Sequence, residues 1–408
     1  MKCGLLGEKL SHSYSPQIHS QLGDYEYALY EKDPNELAYF LRTESFSGLN
    51  VTIPYKKAVI PYCTQLTDRA RQLGAVNTLV RQADGSLLGH NSDYFGFLSM
   101  LHRSGLNPEN RKCLVLGSGG ASNTVVAVLQ EMGAHAVVIS RNGSNNYRNL
   151  FLHKDAYMIV NATPVGMYPG NLVSPIDLNQ FPNLQGVLDL VYNPSRTKLL
   201  LDAEEKGIVA MNGLWMLVAQ AKESAQMFSG KNMDDSLIEP IFQKLKTQME
   251  NIILIGMPGC GKSTVGKLLS QMTGRKCIDS DEMIVQLAGK TIPEIFFQDG
   301  ETHFRHLESQ VLETLGKQSG LIICTGGGCV TQRRNYPMLH QNGTIFWLQR
   351  DLSLLSTDGR PLSQKGDLMQ MFRQREPMYA QFSDHSIDNN GSISQAASMI
   401  LKKMEEEK

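Results

Sequence analysis

The chain has 408 residues, a length that suggests two or three domains at ~150 residues each. A formal charge of −1 leaves no basic field for nucleic acid or an anionic lipid surface, and no apolar run approaches the ~18 residues of a membrane span. The amino terminus, MKCGLLG, lacks the apolar core of a secretory leader, and seven cysteines without CxxC spacing suit reduced thiols in the cytoplasm, not a disulfide framework or a zinc site.

A short strand opens the chain and leads into SHSYSP at 11–16. Serines two apart ahead of a proline suit a helix cap. NVTIPYK at 50–56, GAVNTL at 74–79 and GHNSD at 89–93 follow. Each sets a polar residue at the end of an apolar run, so Lys56, Asn77 and Asp93 can converge on one polar ligand. RKCLVL at 111–116 then runs into GSGGAS at 117–122. With a helix over 125–132 and a strand over 136–139, this is a dinucleotide-binding βαβ unit, although Ser122 replaces the third glycine of GxGxxG. The second strand ends in Ser140-Arg141-Asn142, without the carboxylate that the ribose of NAD requires. A guanidinium suits the 2′-phosphate of NADP through charged, paired hydrogen bonds; the alternative for Arg141 is a solvated surface arginine. GSNNY at 143–147 reads as loop. Residues 222–246 read as two helices broken by SGKN at 229–232, and the next unit begins near 247–250.

NIILI at 251–255 is a buried strand pattern, and GMPGCGKST at 256–264 fits the phosphate-cradling GxxxxGK[ST] loop. Backbone N–H groups at a helix N-terminus hold phosphate oxygens, Lys262 reaches the terminal phosphates, and the Ser263 hydroxyl can ligate Mg²⁺. CIDSD at 277–281 places Asp279 and Asp281 on one face of a strand end, suited to a metal and a hydroxyl. His303 and His306 lie near Glu301 and Glu308, and the four read as a solvated helix face rather than a metal site. FRHLE at 304–308, CTGGG at 324–328, DGRPL at 358–362 and RQREPMY at 373–379 complete the set, and the last residues, 402–408, read as a fraying helix.

Two resemblances follow from these blocks. The first half resembles shikimate dehydrogenase over roughly residues 1–245, through the blocks above together with NATPVGM at 161–167, LDLVYNP at 188–194 and NGLWMLVAQA at 212–221. The resemblance implies that Ser13 and Ser15 hold the substrate carboxylate and that Thr52, Asn77, Asp93, Tyr192 and Gln220 contact its ring hydroxyls. Gly213 and Met216 would flank the nicotinamide. Gly117, Ser118, Gly119, Gly120, Ala121, Ser140, Arg141 and Leu190 complete the implied NADP(H) site. Lys56 and Asp93 are the expected catalytic pair, because a positioned ammonium can protonate the alkoxide that forms as hydride reaches a ketone. The family usually fits another helix and strand between Arg141 and Asn161, so the cofactor domain is expected to be trimmed at one edge.

The second half resembles shikimate kinase over roughly residues 250–401. The resemblance implies an ATP site at Gly259, Cys260, Gly261, Lys262, Ser263, Thr264 and Arg360, with Mg²⁺ held by Ser263 and by Asp279 through water. Asp281 would orient the attacking hydroxyl, Arg305 and Arg375 would grip the substrate carboxylate, and Gly327 would touch the ring. Arg360 falls on a lid over 355–367 and, with Lys262, would neutralise charge on the transferred group. Relatives often carry another arginine before the lid arginine; this chain has Leu355-Ser356-Thr357 there.

The expected architecture is α/β throughout. A substrate domain would span 1–95 with 214–247, a Rossmann NADP domain 96–213, and a P-loop domain resembling the nucleoside-monophosphate kinases 250–408. The expected function is bifunctional: reduction of 3-dehydroshikimate to shikimate with NADPH, then phosphorylation of shikimate by ATP. Small-molecule substrates are the expected partners, without nucleic acid or membrane, and the sequence specifies no oligomeric state. The rivals are a quinate dehydrogenase using NAD in the first half, which the missing acid at Arg141 disfavours, and a non-catalytic sensor, which should have lost Lys56, Asp93, Lys262 or Arg360.

Overall fold

The computed structural model describes residues 1–10, 13–355 and 368–406, so Arg360 and most of the expected lid lie outside the described residues. The chain forms two compact units, Met1–Val165 with Ser174–Tyr192 and Asp202–Lys244, and Gly166–Val173 with Asn193–Leu201 and Leu245–Lys408.

The first unit opens with β1 (Lys2–Gly7), α1 (Ser15–His19), β2 (Glu26–Glu31), α2 (Leu37–Thr43), β3 (Gly48–Val51), β4 (Gln65–Leu66), α3 (Asp68–Leu73), β5 (Thr78–Arg81), β6 (Leu87–His90) and α4 (Asp93–Ser104). The six strands make a mixed sheet in the order β2-β1-β3-β5-β6-β4. β5 runs antiparallel to both β3 and β6, with Asn50 opposite Thr78 and Thr78 opposite His90. The end of β3, the start of β5 and the end of β6 therefore lie at one edge of the sheet. That reversal brings Thr52, Asn77 and Asp93 together from distant parts of the sequence.

A second sheet follows, built from β7 (Lys112–Leu116), α5 (Gly120–Glu131), β8 (His135–Ile139), β9 (Met158–Asn161), β10 (Gly186–Asp189), α6 (Lys198–Glu205) and β11 (Val209–Met211). Its strand order is β11-β10-β9-β7-β8, all parallel. Near-continuous apolar runs such as Cys113-Leu114-Val115-Leu116 are fully buried, as a parallel sheet covered on both faces requires. β8 is the edge strand, and residues 140–149 form turns and bends before the next strand, as the loop-rich GSNNY stretch predicts. α5 begins at Gly120, one turn earlier than its apolar pattern suggests, which sets the glycine loop directly at the helix N-terminus. α7 (Leu214–Ser229) and α8 (Ile238–Met249) close this part of the chain, and the break between them falls at Gly230, which has φ 64°.

The second unit is organised by β12 (Asn251–Ile255), α9 (Lys262–Thr273), β13 (Cys277–Asp279), α10 (Ser280–Ala288), α11 (Ile292–Gln298), α12 (Gly300–Gly316), β14 (Ile322–Cys324), α13 (Asn335–His340), β15 (Gly343–Gln349), α14 (Leu368–Phe382), β16 (His385–Asp388) and α15 (Ile393–Glu406). The parallel sheet has the order β13-β14-β12-β15-β16, so the strand order switches at β12, where ligands of open α/β sheets bind. β12 is buried along its whole length. Two short segments that the sequence reading assigns to the cofactor domain pack within this unit: Ser195 N donates to Asn342 Oδ1 at 2.8 Å, and Asn171 Nδ2 to Gln341 Oε1 at 2.7 Å. Among the described residues no helix is long and apolar enough to cross a membrane.

Candidate active sites

At the shared edge of the first sheet, Lys56 Nζ donates to Asp93 Oδ2 at 2.6 Å. Lys56 lies in the turn after β3, and Asp93 is the first residue of α4, where a carboxylate also meets the positive end of the helix dipole. The pair is half-buried, with side-chain exposures of 25% and 12%, so the ammonium keeps some contact with solvent while the carboxylate is more enclosed. Thr52 stands at the end of β3, its N–H on Leu6 O at 2.9 Å. Ser15 is buried at the start of α1, and its N–H donates to Ser13 Oγ at 3.2 Å; the cap role expected of these serines reduces to that one contact. Tyr192 packs edge-on to Tyr14 with ring centroids 6.3 Å apart, and burial pushes its phenol pKa up.

Beneath the pair lies a buried polar network absent from the sequence reading. Ser92 and Asn77 bond reciprocally, Ser92 N to Asn77 Oδ1 at 2.8 Å and Asn77 Nδ2 to Ser92 Oγ at 3.0 Å. Ser92 Oγ also meets Gln220 Oε1 at 3.3 Å and Ser224 Oγ at 2.9 Å. Ser224 in turn accepts from Asn50 Nδ2 at 2.7 Å and meets Thr78 Oγ1 at 3.0 Å. These bonds fix the rotamers of Asn77 and Gln220 and tie α7 to the sheet edge. Gly96 permits the close approach: a Cβ there would lie 2.9 Å from Met216 O and 3.0 Å from Gln220 Cβ.

The dinucleotide loop shows which glycines the fold needs and which it leaves open. Gly117 has φ 103°, and a Cβ there would meet Thr163 Cγ2 at 2.9 Å. A Cβ on Gly213 would lie 2.2 Å from Leu190 O, so the Leu190 and Gly213 segments touch through backbone alone. Above Gly119 and Gly120, by contrast, nothing lies within 4 Å. Those two glycines answer to no packing of the chain itself, and the open space before the α5 N-terminus fits a pyrophosphate. Ser118 and Ala121 flank them, and Ser140 and Arg141 follow β8 directly, with Arg141 exposed to solvent. The site residues therefore fit NADP(H), with no acid at the end of β8.

In the second unit Gly256, Gly259 and Gly261 have φ of 143°, 84° and 98°, a curl that only glycine adopts freely. Lys262 is buried and folds over the loop, donating to Gly256 O at 2.9 Å and Met257 O at 3.0 Å. Cys260 and Thr264 complete the loop and the first turn of α9. Ser263 Oγ donates to Asp279 Oδ2 at 2.6 Å, which places two oxygen donors side by side and fits Mg²⁺. Asp279 and Asp281 do not share a strand face: β13 ends at Asp279, which caps α10 by accepting from Asp281 N at 3.0 Å, and Asp281 lies in the first helical turn. A three-residue strand followed at once by a helix overrides the alternation read from CIDSD.

Asp281 Oδ1 and Glu308 Oε1 both lie 2.8 Å from the place where Gly326 would carry a Cβ. Arg305 runs across the glycine turn, held by Glu308 at 2.8 Å and Glu301 at 3.0 Å, and a Cβ on Gly328 would collide with its guanidinium. Arg375 Nη1 donates to Gly327 O at 3.1 Å, and Tyr379 OH donates to the same oxygen. His303 and His306 are exposed as expected, but Glu308 is wholly buried and does not belong to a solvated face. Burial raises the Glu308 pKa, against the pull of Arg305. Glu308 and Tyr379 are the neighbours that sequence reasoning missed here. The spacing of Glu301, Arg305 and Glu308 on one helix face was the available signal for the first.

A substrate sheet with a Lys–Asp pair beside a dinucleotide-binding sheet defines a pyridine-nucleotide dehydrogenase, and the second unit defines a P-loop phosphotransferase. Comparisons with known proteins narrow both. Residues 5–79 match the family model described as shikimate dehydrogenase substrate binding domain, and residues 258–405 match the one described as shikimate kinase. The shikimate dehydrogenase (NADP(+)) of Clostridium perfringens strain 13 is 34% identical over 265 residues, an alignment spanning 60% of this chain and 97% of that protein. Among solved structures, a chorismate mutase/shikimate 5-dehydrogenase fusion protein from Clostridium acetobutylicum aligns at 36% identity and TM-score 0.57, covering 60% of this chain and 96% of that one. Shikimate 5-dehydrogenase from Thermus thermophilus, in complex with NADP(H) and shikimate, aligns at 30% identity and TM-score 0.55, over 60% and 99%. The quinate dehydrogenase of Corynebacterium glutamicum, in complex with NAD, aligns at 28% and 0.55, over 60% and 99%. The chain belongs to the shikimate dehydrogenase family, and it carries a shikimate kinase domain in the same polypeptide.

His19, behind Ser15, gives the first unit a defined acid sensitivity. Its ring stacks on Tyr27 at 4.0 Å between centroids, its Nδ1 lies 2.7 Å from Tyr25 OH, and burial pushes its pKa from 6.5 down to about 3. The folded pKa lies below the unfolded one, so the neutral ring's contribution is complete above about pH 6.5 and is lost as pH falls towards 3. The slope is at most ~1.4 kcal/mol per pH unit. Urea unfolding of the first unit should therefore shift to lower midpoints between about pH 6.5 and about pH 4, and His19→Gln should flatten that shift. A proton NMR titration supplies the second readout: a His19 ring that titrates near pH 6.5 contradicts the assignment.

Proposed function

We propose that the two sites act in succession, the first reducing 3-dehydroshikimate to shikimate and the second phosphorylating shikimate. The observation that carries the reading is the Lys56–Asp93 pair at the sheet edge where Asn77 and Gln220 also stand. NADPH, when bound, supplies the hydride, and ATP with Mg²⁺ supplies the phosphoryl group. Ser13, Ser15, Thr52, Asn77, Tyr192 and Gln220 hold and orient the ring. Lys56 Nζ gives a proton to the carbonyl oxygen as negative charge develops there, and Asp93 keeps the ammonium aimed. Gly117, Ser118, Gly119, Gly120 and Ala121 cradle the pyrophosphate, Ser140 and Arg141 take the 2′-phosphate, and Leu190, Gly213 and Met216 line the nicotinamide.

In the second unit Gly259, Cys260, Gly261, Lys262, Ser263 and Thr264 hold the donor phosphates, and Ser263 and Asp279 hold the cation. Asp281 orients the attacking hydroxyl, while Arg305, Arg375 and the Gly327 backbone hold the acceptor; Arg360 keeps its charge-neutralising role from the sequence reading. Arg375 carries more of the carboxylate's charge than the sequence implies, because Arg305 is already compensated by Glu301 and Glu308. Phosphoryl transfer asks mainly for positioning and neutralised charge, which these groups supply. All seven cysteines are free, which supports the cytoplasm as the compartment.

Lys56→Ala should lower the dehydrogenase rate by roughly 10²–10⁴, with the kinase rate near wild type. A variant that keeps more than about a tenth of the rate contradicts the role of Lys56. Arg141→Ala should raise KM for NADPH by on the order of 10- to 100-fold and leave KM for NADH nearly as it was. Equal weakening of both removes Arg141 from the 2′-phosphate, and faster turnover of quinate with NAD than of shikimate with NADP favours the quinate reading.

A further inference from the structure

The second unit's sheet has a substrate pole and an opposite pole with no assigned occupant. Asp279, Asp281 and the glycine turn that carries Gly327 all follow β13 and β14, on one side of β12. Phosphoryl transfer needs the attacking and leaving oxygens roughly in line. The terminal phosphate must therefore face β13 and β14, and the rest of the nucleotide must run away from them, past Gly261, towards the ends of β15 and β16.

Arg350 stands there, the first residue after β15. A Cβ on Gly261 would lie 3.7 Å from Arg350 Nη1 and 2.9 Å from Asn389 Nδ2, so both side chains border the phosphate loop. Asn389 is a structural staple, donating to Cys260 O at 2.6 Å. Asp351 and Asn390 tie the two strand ends together, Asp351 N donating to Asn390 Oδ1 at 2.8 Å. Arg350 is different. Among the described residues it makes no hydrogen bond or ion pair, and its Nε is buried without a partner. An arginine held beside a phosphate loop with no hydrogen bond or ion pair among the described residues calls for a ligand.

The chemistry of the rim selects which end of the nucleotide it meets. The phosphates already have the loop N–H groups and Lys262. Asp351 and Asp388 sit at this pole, and carboxylates there repel phosphate but not a neutral purine. Residues 349–351 and 388–392 include no aromatic side chain, so the guanidinium is the one flat cation these two stretches offer to a base. We propose that Arg350 stacks on the purine of the phosphoryl donor and anchors the nucleoside end. The proposal rests on the kinase reading of this unit.

The test uses the full chain and measures binding of ATP, ADP and inorganic tripolyphosphate, each with Mg²⁺, together with kinase kinetics. Arg350→Ala should weaken ATP and ADP by roughly 5- to 50-fold while tripolyphosphate binds as before. The loss should appear in KM for ATP rather than in kcat. Arg350→Lys should restore only a small part, since an ammonium has no flat face. An unchanged melting temperature excludes a folding defect. Wild-type affinity for ATP in Arg350→Ala, or a parallel loss of tripolyphosphate, overturns the stacking proposal. A wild-type chain that binds neither ATP nor tripolyphosphate overturns the kinase reading and the proposal with it.

Discussion

An ammonium 2.6 Å from a carboxylate is the constraint on which the first site depends. Lys56 comes from a turn after β3 and Asp93 from the first turn of α4, so the contact exists only if the sheet brings those ends together. The antiparallel pairing of β5 with β3 and β6 does this. The reciprocal Asn77–Ser92 bonds, and the bond from Ser92 to Ser224 on α7, then hold the edge in one arrangement. A buried polar network of this kind is costly if any member is left unsatisfied. Here Ser92 directly precedes Asp93, so the network anchors the backbone that carries the Lys56–Asp93 pair.

The second unit solves a different problem with the opposite materials. Its phosphate loop is glycine backbone at positive φ, and its lysine lies over the loop carbonyls. On the side of β13 and β14 the unit gathers the ionisable groups of Asp281, Arg305, Glu308 and Arg375 around a run of glycines. Each glycine of that turn admits a neighbour that a Cβ would exclude: Glu308 and Asp281 at Gly326, Pro258 at Gly327, and the Arg305 guanidinium at Gly328. Close approach of charge to backbone is what the sequence GGG provides.

Much of this was legible in the sequence. Lys56, Asp93, Lys262, Ser263 and Asp279 stand in strings that the sequence singles out, and the α/β class follows from strand–loop–helix punctuation; the strand orders come from the structure. The silent parts share a physical cause. Ser92, Ser224, Asn50 and Thr78 are ordinary polar residues whose meaning lies in contacts between positions far apart in the chain, and no local pattern announces them. Glu308 reads as solvated because its neighbours His303 and His306 are; burial is decided by the helix face, and Glu308 shares its face with Arg305. Asp281 reads as a strand residue because a short strand and a helix start look alike over so few positions.

The most direct measurement follows both nucleotides in one reaction. The intact chain is given 3-dehydroshikimate, NADPH and ATP with Mg²⁺, and NADPH oxidation and ADP release are recorded together. One ADP should appear for each NADPH oxidised, after a lag in which shikimate builds up, and no ADP should appear when NADPH is omitted. ADP release from 3-dehydroshikimate without NADPH, or NADPH oxidation that yields no phosphorylated product, would contradict two sites working in succession.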